Sequence, residues 1–162
     1  MTGLLKCSDC GSTMTNSFTN KKKRRYFYYR CQSVIRRGRT ACNTKEVNAE
    51  KLEMFITDSL SRVSQDNQYL DNLAFRILHE TLRRNGFEPS EELRKNLATR
   101  VQQVLIDFKN QINKGTQIEK ALIFQRVIRK VRFERNYLEV VVRVRDMQYL
   151  PSHDTVGHAS GA

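Results

Sequence analysis

All four cysteines of this 162-residue chain, Cys7, Cys10, Cys31 and Cys42, fall inside its first 42 residues. No other feature limits the possible folds as tightly. A segment of some 45 residues cannot bury enough apolar surface to offset its chain entropy, so a fold this small is usually stapled. Leu5-Lys6-Cys7-Ser8-Asp9-Cys10-Gly11 is a Cys-x-x-Cys knuckle closed by glycine, a spacing that lets two thiolates from one turn reach the same ion. The twenty residues between Cys10 and Cys31 suffice for a hairpin that returns the second pair. Disulfides, a redox pair and four unrelated thiols are the alternatives. Met1-Thr2-Gly3-Leu4-Leu5 runs straight into Lys6, which leaves no apolar stretch for a secretory signal and implies no oxidising compartment. A redox knuckle opens a helix, and Gly11-Ser12-Thr13-Met14-Thr15 does not read as one. A zinc ribbon over residues 1–45 is therefore the favoured reading, with metal binding and folding expected as one event. The ten residues between Cys31 and Cys42 exceed a usual second knuckle and require a looped return.

Charge is concentrated in the same segment. Net charge is +12, and residues 1–45 hold eleven bases against the single acid Asp9. Nine of those bases, from Lys21 to Arg39, form a run without any acid. A solvated surface normally mixes both signs, so a one-signed field on a stapled hairpin points to a polyphosphate partner. A membrane surface is disfavoured. No apolar run approaches the 18 residues of a spanning helix, Thr2 stands where myristoylation needs glycine, and the basic stretch is not amphipathic. Nucleic acid remains. Lys21, Lys22, Lys23, Arg24, Arg25, Arg30, Arg36, Arg37 and Arg39 are the candidate contacts, with Tyr26 and Tyr28 beside them.

Between the knuckle and Cys31 the pattern is β. Ser12 to Thr19 predicts one strand, Asn20 to Lys23 a turn, and Arg25 to Cys31 an aromatic strand. Alternation places Phe27 and Tyr29 with Cys31, where they either cover the metal or, the favoured reading, simply fill a small core, and leaves Tyr26, Tyr28 and Arg30 for a partner. Gly38 among arginines reads as a turn in the loop that brings Cys42 home. The composition changes at Asn43. Asn48 can cap a helix with the stripe Leu52, Phe55, Ile56, Leu60 and Val63. A second helix from about Asn67 carries Leu70, Leu73, Ala74, Ile77, Leu78 and Leu82 until Asn85-Gly86 and Pro89 stop it. Ser90 opens a third, with Leu93, Leu97, Val101, Val104, Leu105, Phe108 and Ile112. These two helices can form an antiparallel hairpin, either a projecting coiled-coil arm or one packed on its own domain. Thr116-Gln117-Ile118-Glu119 is a capping box for a short helix with Leu122, Ile123, Phe124 and Val127. Period-two alternation then predicts a β-hairpin, Val131 and Phe133 before a turn near Glu134-Arg135-Asn136 and Leu138 to Val144 after it. The expected class is α+β: a ribbon at 1–45, a helical or coiled-coil region at 46–128, a β-hairpin packing back at 129–146 and a disordered tail at 147–162.

Gly3-Leu4-Leu5-Lys6-Cys7-x-x-Cys10-Gly11-x-x-Met14, Arg25-Tyr26-Phe27-Tyr28-Tyr29-Arg30-Cys31, Arg36-Arg37-Gly38-Arg39 and Cys42 together resemble the zinc β-ribbon of large serine recombinases. The likeness is one of motif over a quarter of the chain and of layout beyond it, and the wide second cysteine gap is usual in that family. The resemblance implies that Cys7, Cys10, Cys31 and Cys42 hold Zn2+. It also implies a basic surface that docks on the outer part of a DNA attachment half-site, and a coiled coil through which recombinase subunits meet. DNA integration and excision by a phage or mobile element, in the cytoplasm at the nucleoid, would be the setting.

That family cuts DNA with a serine in an N-terminal catalytic domain, which finds no counterpart here. His79, His153 and His158 form no triad-like pattern, and the acidic residues are dispersed or at helix starts, against a two-metal nuclease. The expectation is a non-catalytic DNA-binding portion of a site-specific recombinase, truncated, frameshifted or split from its catalytic part. The rival is a protein–protein interaction module whose ribbon is structural. A third option is RNA, with Tyr26 and Tyr28 stacking bases.

Overall fold

The computed structural model describes residues 1, 3–83, 88–134 and 137–143. Two small sheets and a set of helices share one core. β1 (Leu5–Cys7) leads into the knuckle, and β2 (Met14–Lys21) and β3 (Arg24–Cys31) form an antiparallel hairpin in which Lys21 faces Arg24. The turn is therefore the two residues Lys22-Lys23, tighter than the Asn20–Lys23 turn the sequence suggested. Both have positive φ, 46° and 64°, the conformation of a type I′ turn, whose twist matches that of the strands. α1 (Gln32–Arg37) follows Cys31 directly, so the return to Cys42 begins as a short helix instead of a plain loop. Gly38, at φ 92°, ends it with an N–H bonded to the Val34 carbonyl. β4 (Glu46–Asn48), too short to be read from the sequence, pairs with Tyr28–Arg30 as a third strand.

Three helix starts form where capping chemistry placed them. The Asn48 side chain accepts from the Lys51 N–H at the head of α2 (Ala49–Val63). α3 (Asn67–Arg83) follows, and the Ser90 hydroxyl accepts from the Leu93 N–H at the head of α4 (Glu91–Lys114). Thr116 and Glu119 close a reciprocal capping box on α5 (Gln117–Val127). β5 (Ile128–Glu134) continues without a break and pairs antiparallel with β6 (Tyr137–Val142). The class is α+β, as the patterning implied.

α4 is the helix against which α2, α3 and α5 all pack. Lys109 donates to the Ser61 hydroxyl, Gln102 to the Ser64 carbonyl and the Asn67 side chain, and Arg94 pairs with Asp71. Those contacts run in opposite directions along the two chains, so α4 lies antiparallel to the α2–α3 path. Val101, Leu105, Phe108 and Ile112 are buried in one cluster with Leu52, Ile56 and Leu60. Phe108 meets Phe124 of α5 edge to face at 5.4 Å. The helical stripes were read slightly too wide: Phe55, Val104 and Leu122 are exposed, each on the flank of a face whose centre is buried.

The same core extends under the ribbon. β1 pairs in parallel with β5, Leu5 beside Val131 and Cys7 beside Phe133, both Leu5 and Val131 being fully buried. The Val131 N–H bonds to the Leu4 carbonyl and the Ser8 N–H to the Phe133 carbonyl, each at 2.9 Å. Strand order β1-β5-β6 thus places the knuckle on a sheet supplied by residues more than 120 positions later. The expected stop at Asn85-Gly86, the turn residues Arg135 and Asn136, the end of the closing hairpin at Val144 and the tail lie outside the described residues.

Candidate metal centre and cationic hairpin

β1, the knuckle, the end of β3 and the loop after α1 bring Cys7, Cys10, Cys31 and Cys42 together, their sulfurs all within 4.8 Å of one another. Cys7 and Cys42 Sγ are 3.5 Å apart, and Cys10 and Cys31 Sγ are 3.4 Å apart. A disulfide would need about 2.05 Å, so these are thiols. Sulfurs about 2.3 Å from a tetrahedral ion lie roughly 3.8 Å from each other. The cluster fits a zinc-sized cation.

The surroundings fit one as well. Burial pushes the thiols of Cys7 and Cys42 up, with backbone hydrogen bonds from Cys10 and Asp9 opposing the rise at Cys7. At Cys10 burial also pushes up, but hydrogen bonds from the Ser33 and Ser12 hydroxyls and the Ser12 and Cys31 groups outweigh it and bring the thiol to about 6. Cys7 and Cys42, buried and resistant to ionising alone, are thiols that a dication converts to thiolates. A ring of hydrogen bonds orients the set. The Gly11 N–H bonds to the Cys7 carbonyl to close the knuckle, with Gly11 at φ 71°, and Asp9 accepts from the Thr44 N–H at 2.7 Å, tying the knuckle to the chain beyond Cys42. Ser12 and Ser33 hydroxyls meet at 2.7 Å, and Ser33 also accepts from Arg37.

Around this centre the cations divide by what they touch. Lys21, Lys22, Lys23, Arg24 and Arg25 are exposed at the hairpin tip, and Arg36, Arg37 and Arg39 are exposed at the end of α1 and just after it. Arg37 is partly engaged by Ser33. Arg30 is held by Glu46 at 2.8 Å across β3 and β4, so its guanidinium already has a carboxylate partner. Tyr26 and Tyr28 are half-buried on the same face as Arg30, with Arg24 over the Tyr26 ring at 5.6 Å.

The inner face of β3 meets its expected role at Tyr29 and departs from it at Phe27. Tyr29 is buried, and its hydroxyl donates to Glu53 of α2; desolvation and that carboxylate push the phenol upward. Phe27 does not cover the metal: it is 54% exposed. Four residues of strand put it about 13 Å from Cys31, beyond the end of the core, whereas Tyr29 is only half as far. Alternation gave its face correctly but not how far along that face the core extends.

Residues 5–7, 14–31 and 46–48, with four converging thiols that could hold a metal ion, define a β-ribbon. Residues 1–61 match the model of the recombinase zinc beta ribbon domain. No curated protein matches the sequence. Among solved structures, the crystal structure of an LSR–DNA complex is similar, at 21% identity and a TM-score of 0.47, over 87% of this chain. The alignment takes in 54% of that structure's chain, so this sequence spans about half of its length.

Proposed function

We propose that this chain is a DNA-binding C-terminal portion of a site-specific serine recombinase. Cys7, Cys10, Cys31 and Cys42 hold zinc, the ribbon docks on an attachment half-site, and the helices past residue 61 contact other recombinase subunits. The single observation that carries the reading is the convergence of four thiols beneath a hairpin in which every charged side chain is a cation. The recombinase zinc β-ribbon at residues 1–61 supports the DNA partner, because a domain of that family that carries a one-signed field suits a phosphate backbone. When bound, zinc supplies structure: it fixes the hairpin and the α1 loop relative to each other. Lys21–Arg24, Arg36 and Arg39 contact phosphates, which position the protein without reading sequence.

Fluorescence anisotropy with duplex DNA tests this. Affinity should fall by about 0.9 log units per log unit of salt for every phosphate neutralised, and Arg36→Glu with Arg39→Glu should reduce both affinity and slope. Salt-independent binding, or binding that survives the double reversal, would remove the docking mode. Val101→Asp and Phe108→Asp do not discriminate the rival interaction-module reading. Both residues are buried in the core, so these variants would unfold the chain whatever its partner.

A further inference from the structure

Beyond phosphate contacts, we propose that one face of the β2–β3 hairpin, formed by Phe18, Phe27, Asn20 and Arg25, reads base edges in the major groove and contacts the C5 methyl of thymine. This rests on the DNA-binding reading above and adds to it a surface and a base class. Phe18 and Phe27 are directly opposed in the ladder, so both rings stand on the same face, and each is 54% exposed. The next pair on that face, two positions toward the tip, is Asn20 with Arg25. Arg25 is held there: its guanidinium lies 4.6 Å over the Phe18 ring and its Nε donates to Asn20 Oδ1 at 3.5 Å.

Two exposed rings on a hairpin need an occupant, and the charges choose it. Lys21, Lys22, Lys23, Arg24 and Arg25 surround the pair, and no acid occurs from residue 10 to residue 45. A second copy of this chain would bring its own cations against them, whereas a nucleic acid brings phosphates. Apolar contact is how a side chain recognises thymine, whose methyl group projects into the major groove, while Arg suits guanine and Asn suits adenine there. The major groove, about 12 Å wide, admits a two-stranded β-ribbon. The two-residue turn at Lys22-Lys23 keeps the hairpin narrow at its tip. Tyr26 and Tyr28 lie on the opposite face, half-buried, and leave this one as the open face.

The test compares the zinc-loaded chain on an alternating d(AT) duplex with its binding to a duplex of the same length in which deoxyuridine replaces every thymine. Phosphate contacts are the same on both, so the difference isolates the methyl groups. The wild type should bind the thymine duplex more tightly, by roughly fourfold for each methyl covered. Phe18→Ala with Phe27→Ala should bring thymine affinity down to the uracil level and leave the salt slope unchanged. Phe18→Leu with Phe27→Leu, which keeps apolar surface, should retain the preference. Equal wild-type affinities would overturn the proposal, as would a preference that persists in the double alanine variant. Self-association that disappears in that variant would assign the rings to a second copy and overturn it too. Failure to bind either duplex would instead sink the underlying DNA reading.

Discussion

Leu5→Ala probes how the metal centre depends on a strand that arrives from the far end of the chain. β1 is only three residues long, and two things hold it: the ladder to β5 and the burial of Leu5 against a core that includes Val131. Truncating a fully buried leucine costs about 2–5 kcal/mol, a large part of the 5–15 kcal/mol typical of a domain. Without that anchor β1 undocks in the metal-free chain, and Cys7 leaves the sulfur cluster with it. The ion must then redock the strand, so a loss of about 2 kcal/mol passed on in full weakens zinc binding about thirtyfold. Leu105→Ala is the control. It removes an equally buried leucine from α4, which packs on α2, α3 and α5, and should destabilise the chain with zinc affinity nearly unchanged. Chelator competition gives the affinity and urea unfolding the stability. If Leu5→Ala unfolds more easily yet binds zinc as tightly as the wild type, or if Leu105→Ala weakens zinc equally, then β5 does not position the knuckle.

Zinc affinity should depend on pH. Burial raises the Cys7 and Cys42 thiols, so both carry protons at neutral pH and the ion must displace them. Affinity therefore rises with pH through neutrality, by about two decades per unit from these two thiols alone, and a flat profile from chelator competition would contradict this. Glu46→Gln releases the Arg30 guanidinium from its only carboxylate partner among the described residues. Because that pair is about one-third exposed, stability should change by less than about 1 kcal/mol, while DNA affinity rises and the salt slope steepens by up to about 0.9. Thr116→Ala removes the hydroxyl half of a capping box, leaving the Thr116 N–H bonded to Glu119, and should cost about 1 kcal/mol in urea unfolding, with DNA affinity unaffected.

What the sequence disclosed was local chemistry. Asn48, Ser90 and Thr116 cap their helices because each satisfies an N–H two or three residues on, a relation contained in a few adjacent positions. The convergence of the four cysteines was legible for a similar reason, since a shared ion gives thiols at these spacings a common purpose. The hidden parts depend on distant partners. Nothing in Leu5-Lys6-Cys7 announces a parallel ladder to Val131, and Glu46-Val47-Asn48 becomes a strand only because β3 offers it an edge. Phe27 shows the limit of alternation, which assigns faces and says nothing of where the core stops. Arg30, a candidate contact to nucleic acid, is paired with a carboxylate sixteen residues later, a partner that no local pattern announces.

Zinc content and backbone order, measured on the same sample, test the account most directly. Purified protein should contain a single zinc ion per chain, and excess chelator should collapse the amide dispersion of the ribbon residues and abolish duplex binding together. A chain that is free of metal and keeps its ribbon resonances and its DNA affinity would contradict it.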